Sequence, residues 1–108
     1  MTQDVTRASH STRVLDGGLC LAVAGELDVT IVRDLEAWLA ETGSTLAPGA
    51  RFTIDLSGVT FCDAGCTAVL ARHYYRLRAT GVQVHAIGVQ GMVAEVFMLL
   101  GLGDLIAP

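Results

Sequence analysis

The sequence has no lysine, only 2 prolines, 6% aromatic residues and a charged fraction of 17%. Each shortage excludes something. Seven arginines set against eleven acids leave no basic run that could neutralise several phosphates, which argues against direct DNA or RNA binding. Long apolar runs are missing as well. The longest near the C-terminus, Met92 to Leu102, is broken by Glu95 and Gly101 and is too short for a bilayer span, so no membrane anchor is expected. Cysteine is scarce and odd in number: Cys20, Cys62 and Cys66 include no CxxC pair of the kind that binds zinc. The first residues, Met1 to Ser11, are polar and do not read as a signal peptide, so a reduced, cytoplasmic setting is expected.

What is present is apolar and small: 108 residues, 52% hydrophobic, with 12 glycines and a net charge of -4. A chain of this length buries roughly 65% of its unfolded surface, which supports one core and no second. A two-domain enzyme is excluded. The composition is the reverse of a disordered segment, which is rich in charge and poor in apolar residues.

Along the chain, residues 1–12 read as a flexible lead-in and residues 13–108 as the folded domain. Arg13 to Leu15 and Leu19 to Ala24 read as two strands joined at Asp16-Gly17-Gly18, with Gly25-Glu26-Leu27-Asp28 interrupting the pattern. Ile31, Val32, Leu35, Trp38 and Leu39 then recur at helical spacing, ending near Gly43. Phe52, Ile54 and Leu56 alternate as a strand, after which Ser57-Gly58-Val59-Thr60 is expected to carry the chain over the sheet edge. Cys66, Val69, Leu70, His73 and Leu77 mark a second helix that stops at Gly81. A strand follows at Val82, Val84, Ala86 and Ile87, then a third helix with the stripe Met92, Val93, Val96, Phe97 and Leu100, and a final turn at Leu105-Ile106.

The order ββαβαβα implies an α/β domain with a mixed β-sheet, parallel in its later strands. The loops around Asp28 and Asp63 then gather on one edge, where this chain places its unusual polar residues.

Gly25-Glu26-Leu27-Asp28, Asp55-Leu56-Ser57-Gly58-Val59, Phe61-Cys62-Asp63, Gly81-Val82 and Leu99-Leu100-Gly101-Leu102 follow one another at spacings that resemble the STAS domain of bacterial anti-sigma factor antagonists. The resemblance covers Arg13 to Ile106. It implies a STAS-like fold with helices packed mainly on one face of the sheet. It also implies a partner: an anti-sigma factor, usually a GHKL-type serine kinase, whose capture frees a sigma factor. Residues implied to meet that partner are Asp28, Thr30, Ser57, Asp63, Ala64, Gly65, Cys66 and Thr67. In the family a serine that the kinase phosphorylates usually follows the aspartate. Here an ungapped match to Asp63-Ala64-Gly65-Cys66-Thr67 puts Ala64 at that position, Cys66 at the usual glycine and Thr67 at the usual leucine. Alanine has no hydroxyl, so Thr67 and Ser57 are the substitutes to weigh.

Each feature also has a plainer role. Asp28 and Asp63 serve as partner contacts, as helix N-caps, or as both. Ser57 and Thr67 are turn and first-turn hydroxyls as readily as phosphoacceptors. Asp55 ends a strand like a receiver-domain acceptor, but no acidic pair near the first strand and no lysine accompany it. Cys62, Cys66 and His73 lack a fourth metal ligand, and buried thiols are the commoner case. Trp38, Tyr74, Tyr75 and the third-helix stripe read as core or core edge, and Arg72, Arg76 and Arg78 as a modest basic face. No metal, cofactor or catalytic constellation is expected, since Cys66, His73 and Asp63 make a poor trio for turnover. The function expected is an anti-sigma factor antagonist acting by reversible binding. The alternative is a degenerate STAS scaffold or sensory module for another protein or a small ligand, and a homodimer stays open.

Overall fold

The computed structural model describes residues 8–106. Its elements are strands β1 (Ala8–Leu15) and β2 (Gly18–Leu27), a 3-10 turn at Val29–Ile31 leading into helix α1 (Val32–Gly43), strand β3 (Arg51–Cys62), helix α2 (Ala64–Ala79), strand β4 (Gln83–Ile87), helix α3 (Gly91–Leu99) and a closing 3-10 turn at Gly103–Leu105. The sheet order is β1-β2-β3-β4, antiparallel between the first two and parallel thereafter. This is the α/β arrangement with parallel later strands that the alternation of elements predicts. A parallel bridge between Ala86 and Ile106 adds the start of a further strand position beside β4.

Three boundaries differ from the sequence expectation. Of the lead-in expected at residues 1–12, residues 1–7 lie outside the described residues, and residues 8–12 belong to β1. Ala8 pairs with Gly25 and Thr12 with Leu21, and the His10 ring stacks on Trp38 with centroids 4.3 Å apart. β2 likewise runs through Gly25 and Glu26 to Leu27 rather than breaking off at Ala24.

The third difference shapes the site. Ser57-Gly58-Val59-Thr60 does not leave the sheet: β3 continues to Cys62 by inserting extra residues opposite β2, with register shifts between Ala22 and Ala24 and between Gly25 and Glu26. Such bulges bend a strand without ending it. Gly58 permits this bend, because a Cβ there would stand 2.8 Å from the Cβ of Ala24.

Leu21, Ile54 and Ala86 lie in one cross-strand row, Leu19, Phe52 and Val84 in another, and the helices cover this face. Leu35 and Leu39 of α1, Val69, Leu70 and Tyr74 of α2, and Val93 and Phe97 of α3 join the strand residues in one core cluster. Leu102 and Leu105 close its lower end. On the other sheet face, Arg13, Cys20, Thr53 and His85 form a row, and Cys20 is buried beside its cross-strand partner Arg13. Tyr75 and Met92, expected in the core or at its edge, are instead exposed, as is Leu100, expected on the third-helix stripe and found at its C-cap. The apolar pattern marked the helices correctly, but among the described residues no element covers those positions.

Candidate partner-binding site

β2 and β3 end side by side, Leu27 opposite Cys62, so the two following loops emerge together. The Asp63 N–H donates to the Leu27 carbonyl at 3.0 Å and keeps them in register. Both loops turn into helical segments through an aspartate cap. Asp28 Oδ1 accepts from the Thr30 N–H at 2.9 Å and from the Thr30 hydroxyl at 2.5 Å, closing the 3-10 turn before α1. Asp63 Oδ1 accepts from the Cys66 N–H at 2.8 Å, satisfying one of the free donors of the first turn of α2.

The first turn of α2 then divides into two sides. Ala64 and Gly65 are exposed, while Cys66 and Thr67 have no exposed surface. The Thr67 hydroxyl donates to the Asp63 carbonyl at 2.8 Å and touches the Cys62 sulfur at 3.2 Å. The Cys66 thiol donates to the Asp28 carbonyl at 3.3 Å. Cys66 and Thr67 were expected at the partner surface; the structure turns both inward, where they lock the two loops together. Thr67 is therefore not placed to accept a phosphate in the folded domain.

Ser57 is not brought to this edge either. It is exposed further back along β3, and its N–H and hydroxyl both donate to Asp55 Oδ1, at 2.9 and 2.7 Å. Those bonds hold the Asp55 carboxyl below its usual range. The residues gathered at the edge are thus Asp28, Thr30, Asp63, Ala64 and Gly65.

Burial pushes the Cys66 thiol up to about 12, with the charges of Asp63 and its surroundings adding to the effect, and burial also raises Cys62 and Cys20. These thiols stay protonated at neutral pH and are poor nucleophiles. All three are free. His73 is buried on α2, and burial together with Arg76 and Arg72 lowers its basicity. Among the described residues, no three His, Cys, Asp or Glu side chains gather as a metal-ligand group. Arg72 pairs with Glu36 of α1, and Arg78 donates to the Tyr74 hydroxyl at 2.6 Å, so two arginines of the expected basic face have partners in the domain.

The arrangement offers an exposed, uncharged helix start framed by two aspartates. Residues 10–107 match the family model described as Mlab, STAS domain. The chain belongs to the STAS domain family. Solved structures agree with the fold of this STAS domain. An anti-sigma factor antagonist from Mycobacterium paratuberculosis superposes with a TM-score of 0.78 at 23% identity, covering 92% of this chain and 82% of that one. The anti-sigma factor antagonist SpoIIAA in its unphosphorylated form superposes with a TM-score of 0.71 at 18% identity, covering 92% and 86%. The murine Solute Carrier 26 family member A9 anion transporter contains a similar unit, with a TM-score of 0.66 at 18% identity over 86% of this chain and 18% of that one. No curated protein matches. Among the described residues, no helix is long and apolar enough to cross a membrane.

Two features of this edge escape a reading of the sequence. Phe61, the cross-strand neighbour of Glu26, and Val29, in the turn after Asp28, are apolar yet exposed. The signal for Phe61 was its position one residue out of phase with Cys62 on the same strand.

Proposed function

We propose that this STAS domain is a non-enzymatic, cytoplasmic anti-sigma factor antagonist that binds an anti-sigma factor of the GHKL serine kinase type and thereby releases a sigma factor. The observation that carries the reading is the start of α2: Ala64 and Gly65 are exposed between the Asp63 cap and the Asp28 loop, on a rigid platform. The antagonist folds among the similar structures support the same reading. Ala64 holds the surface in one state. A phosphate of about -1.5 to -2 charges at this place would sit well on a free helix start and obstruct a docked partner, and alanine cannot receive one. The domain therefore acts as a constitutive antagonist.

The test is a pull-down from the native cell, scored for a GHKL-type kinase. Recovery of the kinase by the wild type, loss on Asp63→Lys and indifference to ATP are the expected results. A second reading is a scaffold or sensory module with another partner, favoured by Ala64 and by the similar unit inside an anion transporter. Failure to bind any kinase while another partner is retained selects it.

A further inference from the structure

The exposed apolar side chains of this STAS domain are concentrated. On α3, Met92 is 75% exposed and Leu99 84% exposed, with half-buried Val96 between them. Their i, i+4 and i+7 spacing puts them along one side of the helix, while Val93 and Phe97 face the core. Phe61, 46% exposed, borders this strip across a crevice of about 50 Å³ lined by Thr60, Phe61, Cys62, Met92, Val93 and Val96. Single exposed apolar residues are ordinary, whereas a run of them with its own crevice marks an interaction surface.

The strip adjoins the docking platform. Cys62 lines the crevice, and the next residue, Asp63, caps α2 at the platform. Acids edge the strip: Asp63 follows the crevice residue Cys62, and Glu95 lies between Met92 and Val96 on the same side of α3. We propose that Phe61, Met92, Val96 and Leu99 receive an amphipathic helix of the same partner that docks on Asp63–Gly65, its apolar side on the strip and its arginine or lysine side chains toward Asp63 and Glu95. The inference rests on the reading of the α2 start as a partner site. Two turns of strip, roughly 10 Å long, suit the i, i+3/i+4, i+7 anchors of a helix laid in a groove, and methionine adapts to such a face. A second copy of this chain fits less well. A two-fold antiparallel pairing across Val96 sets both Glu95 carboxylates on the same flank, a repulsion that a basic partner turns into attraction.

The experiment is calorimetric titration of the purified anti-sigma factor captured by the wild-type domain, against the wild type, Asp63→Lys, Met92→Glu, Leu99→Glu and Leu99→Met. Met92→Glu and Leu99→Glu should each weaken binding at least tenfold, Leu99→Met should bind like the wild type, and all three should melt at the wild-type temperature because these side chains are exposed. Wild-type affinity in both glutamate variants, with binding lost in Asp63→Lys, overturns the strip and leaves the platform standing. Undiminished binding by Asp63→Lys with loss in the strip variants overturns the shared partner. A wild-type domain that binds no anti-sigma factor removes both. Sedimentation of the domain alone supplies a further check, since a dimer dissociated by Leu99→Glu assigns the strip to self-association and overturns the proposal.

Discussion

The thiol of Cys66 donates to the backbone carbonyl of Asp28 across 3.3 Å, joining residues 38 apart in sequence. The bond fixes the loop after β2 against the first turn of α2, so the two aspartate caps move as one body. It also shows how a cysteine stands where the family usually has glycine: the side chain points inward, and its thiol is a second donor to a carbonyl that already accepts from the Ile31 N–H at 3.0 Å.

The thiols should accordingly be silent. With Cys66 held near 12 and burial raising Cys62 and Cys20, iodoacetamide at pH 8 should leave all three unmodified in the native domain and label all three in urea. Intact-mass measurement after timed alkylation reads this directly. Rapid labelling of a single thiol in the native protein would contradict the inward packing of the α2 start.

Asp63→Ala should cost about 1 kcal/mol, the usual loss for an N-cap, and lower the melting temperature by roughly 4–8 °C in a domain of this size. Asp63→Asn retains a side-chain oxygen for the Cys66 N–H and should lose much less. Thermal denaturation followed by circular dichroism separates the two. Equal losses would mean that the carboxylate stabilises the helix by charge rather than by the 2.8 Å bond.

Much of this platform was legible from residue pattern alone, and the parts that were not share a physical cause. Asp28 and Asp63 announce themselves as caps because each precedes an apolar helical repeat. The three helices and the alternation of Phe52, Ile54 and Leu56 follow from periodicity. Residues 8–12 are mostly small and polar, and only pairing with β2 makes a strand of them. The bulges that carry β3 through Ser57 and Gly58 depend on the neighbouring strand, which one segment of sequence cannot display. The family position puts Thr67 at the surface, whereas the helix phase after Asp63 turns it to Cys62. Periodicity gives the face of a helix but not what covers it, so Met92 and Tyr75 read as core and are exposed.

His73 gives the domain a pH dependence of known sign. It is 5% exposed on α2, and burial, with Arg76 and Arg72, lowers its pKa below the ordinary 6.5, while Glu36 opposes weakly. The unfolded chain then binds the proton more readily than the folded one. The stability is therefore fully present above about pH 6.5 and is lost as pH falls toward the lowered folded value. Urea unfolding at pH 5, 6, 7 and 8 should show a falling midpoint on the acid side, and His73→Leu should flatten that limb. A limb unchanged in the variant would assign it to the carboxylates.

Gly88 closes the far end of β4 against the bulge. It has φ +72°, and a Cβ there would stand 2.6 Å from the Cβ of Ser57. Gly88→Ala meets both the left-handed backbone and the clash, so it should destabilise by more than about 1 kcal/mol. Hydrogen exchange should rise first at β4. Gly49→Ala is the control, since Gly49 shares a positive φ but has nothing within 4 Å of the added carbon.

Ala64 separates the folding role of the α2 start from its binding role. As the first residue of the helix it is exposed, and an acid there meets the positive end of the helix dipole. Ala64→Asp should therefore raise stability by roughly 0.3–1 kcal/mol while weakening the anti-sigma factor at least tenfold, because the new charge lies on the docking face beside Asp63. Opposite signs in the two measurements are the diagnostic, since a variant that merely damaged the fold would lose both. Ala64→Ser carries the argument one step further. It restores a hydroxyl at the family's acceptor position, and incubation with the captured kinase and ATP should add a phosphate seen by intact mass and release the complex. If Ala64→Asp gains stability and keeps wild-type affinity, the helix start is not where the partner docks.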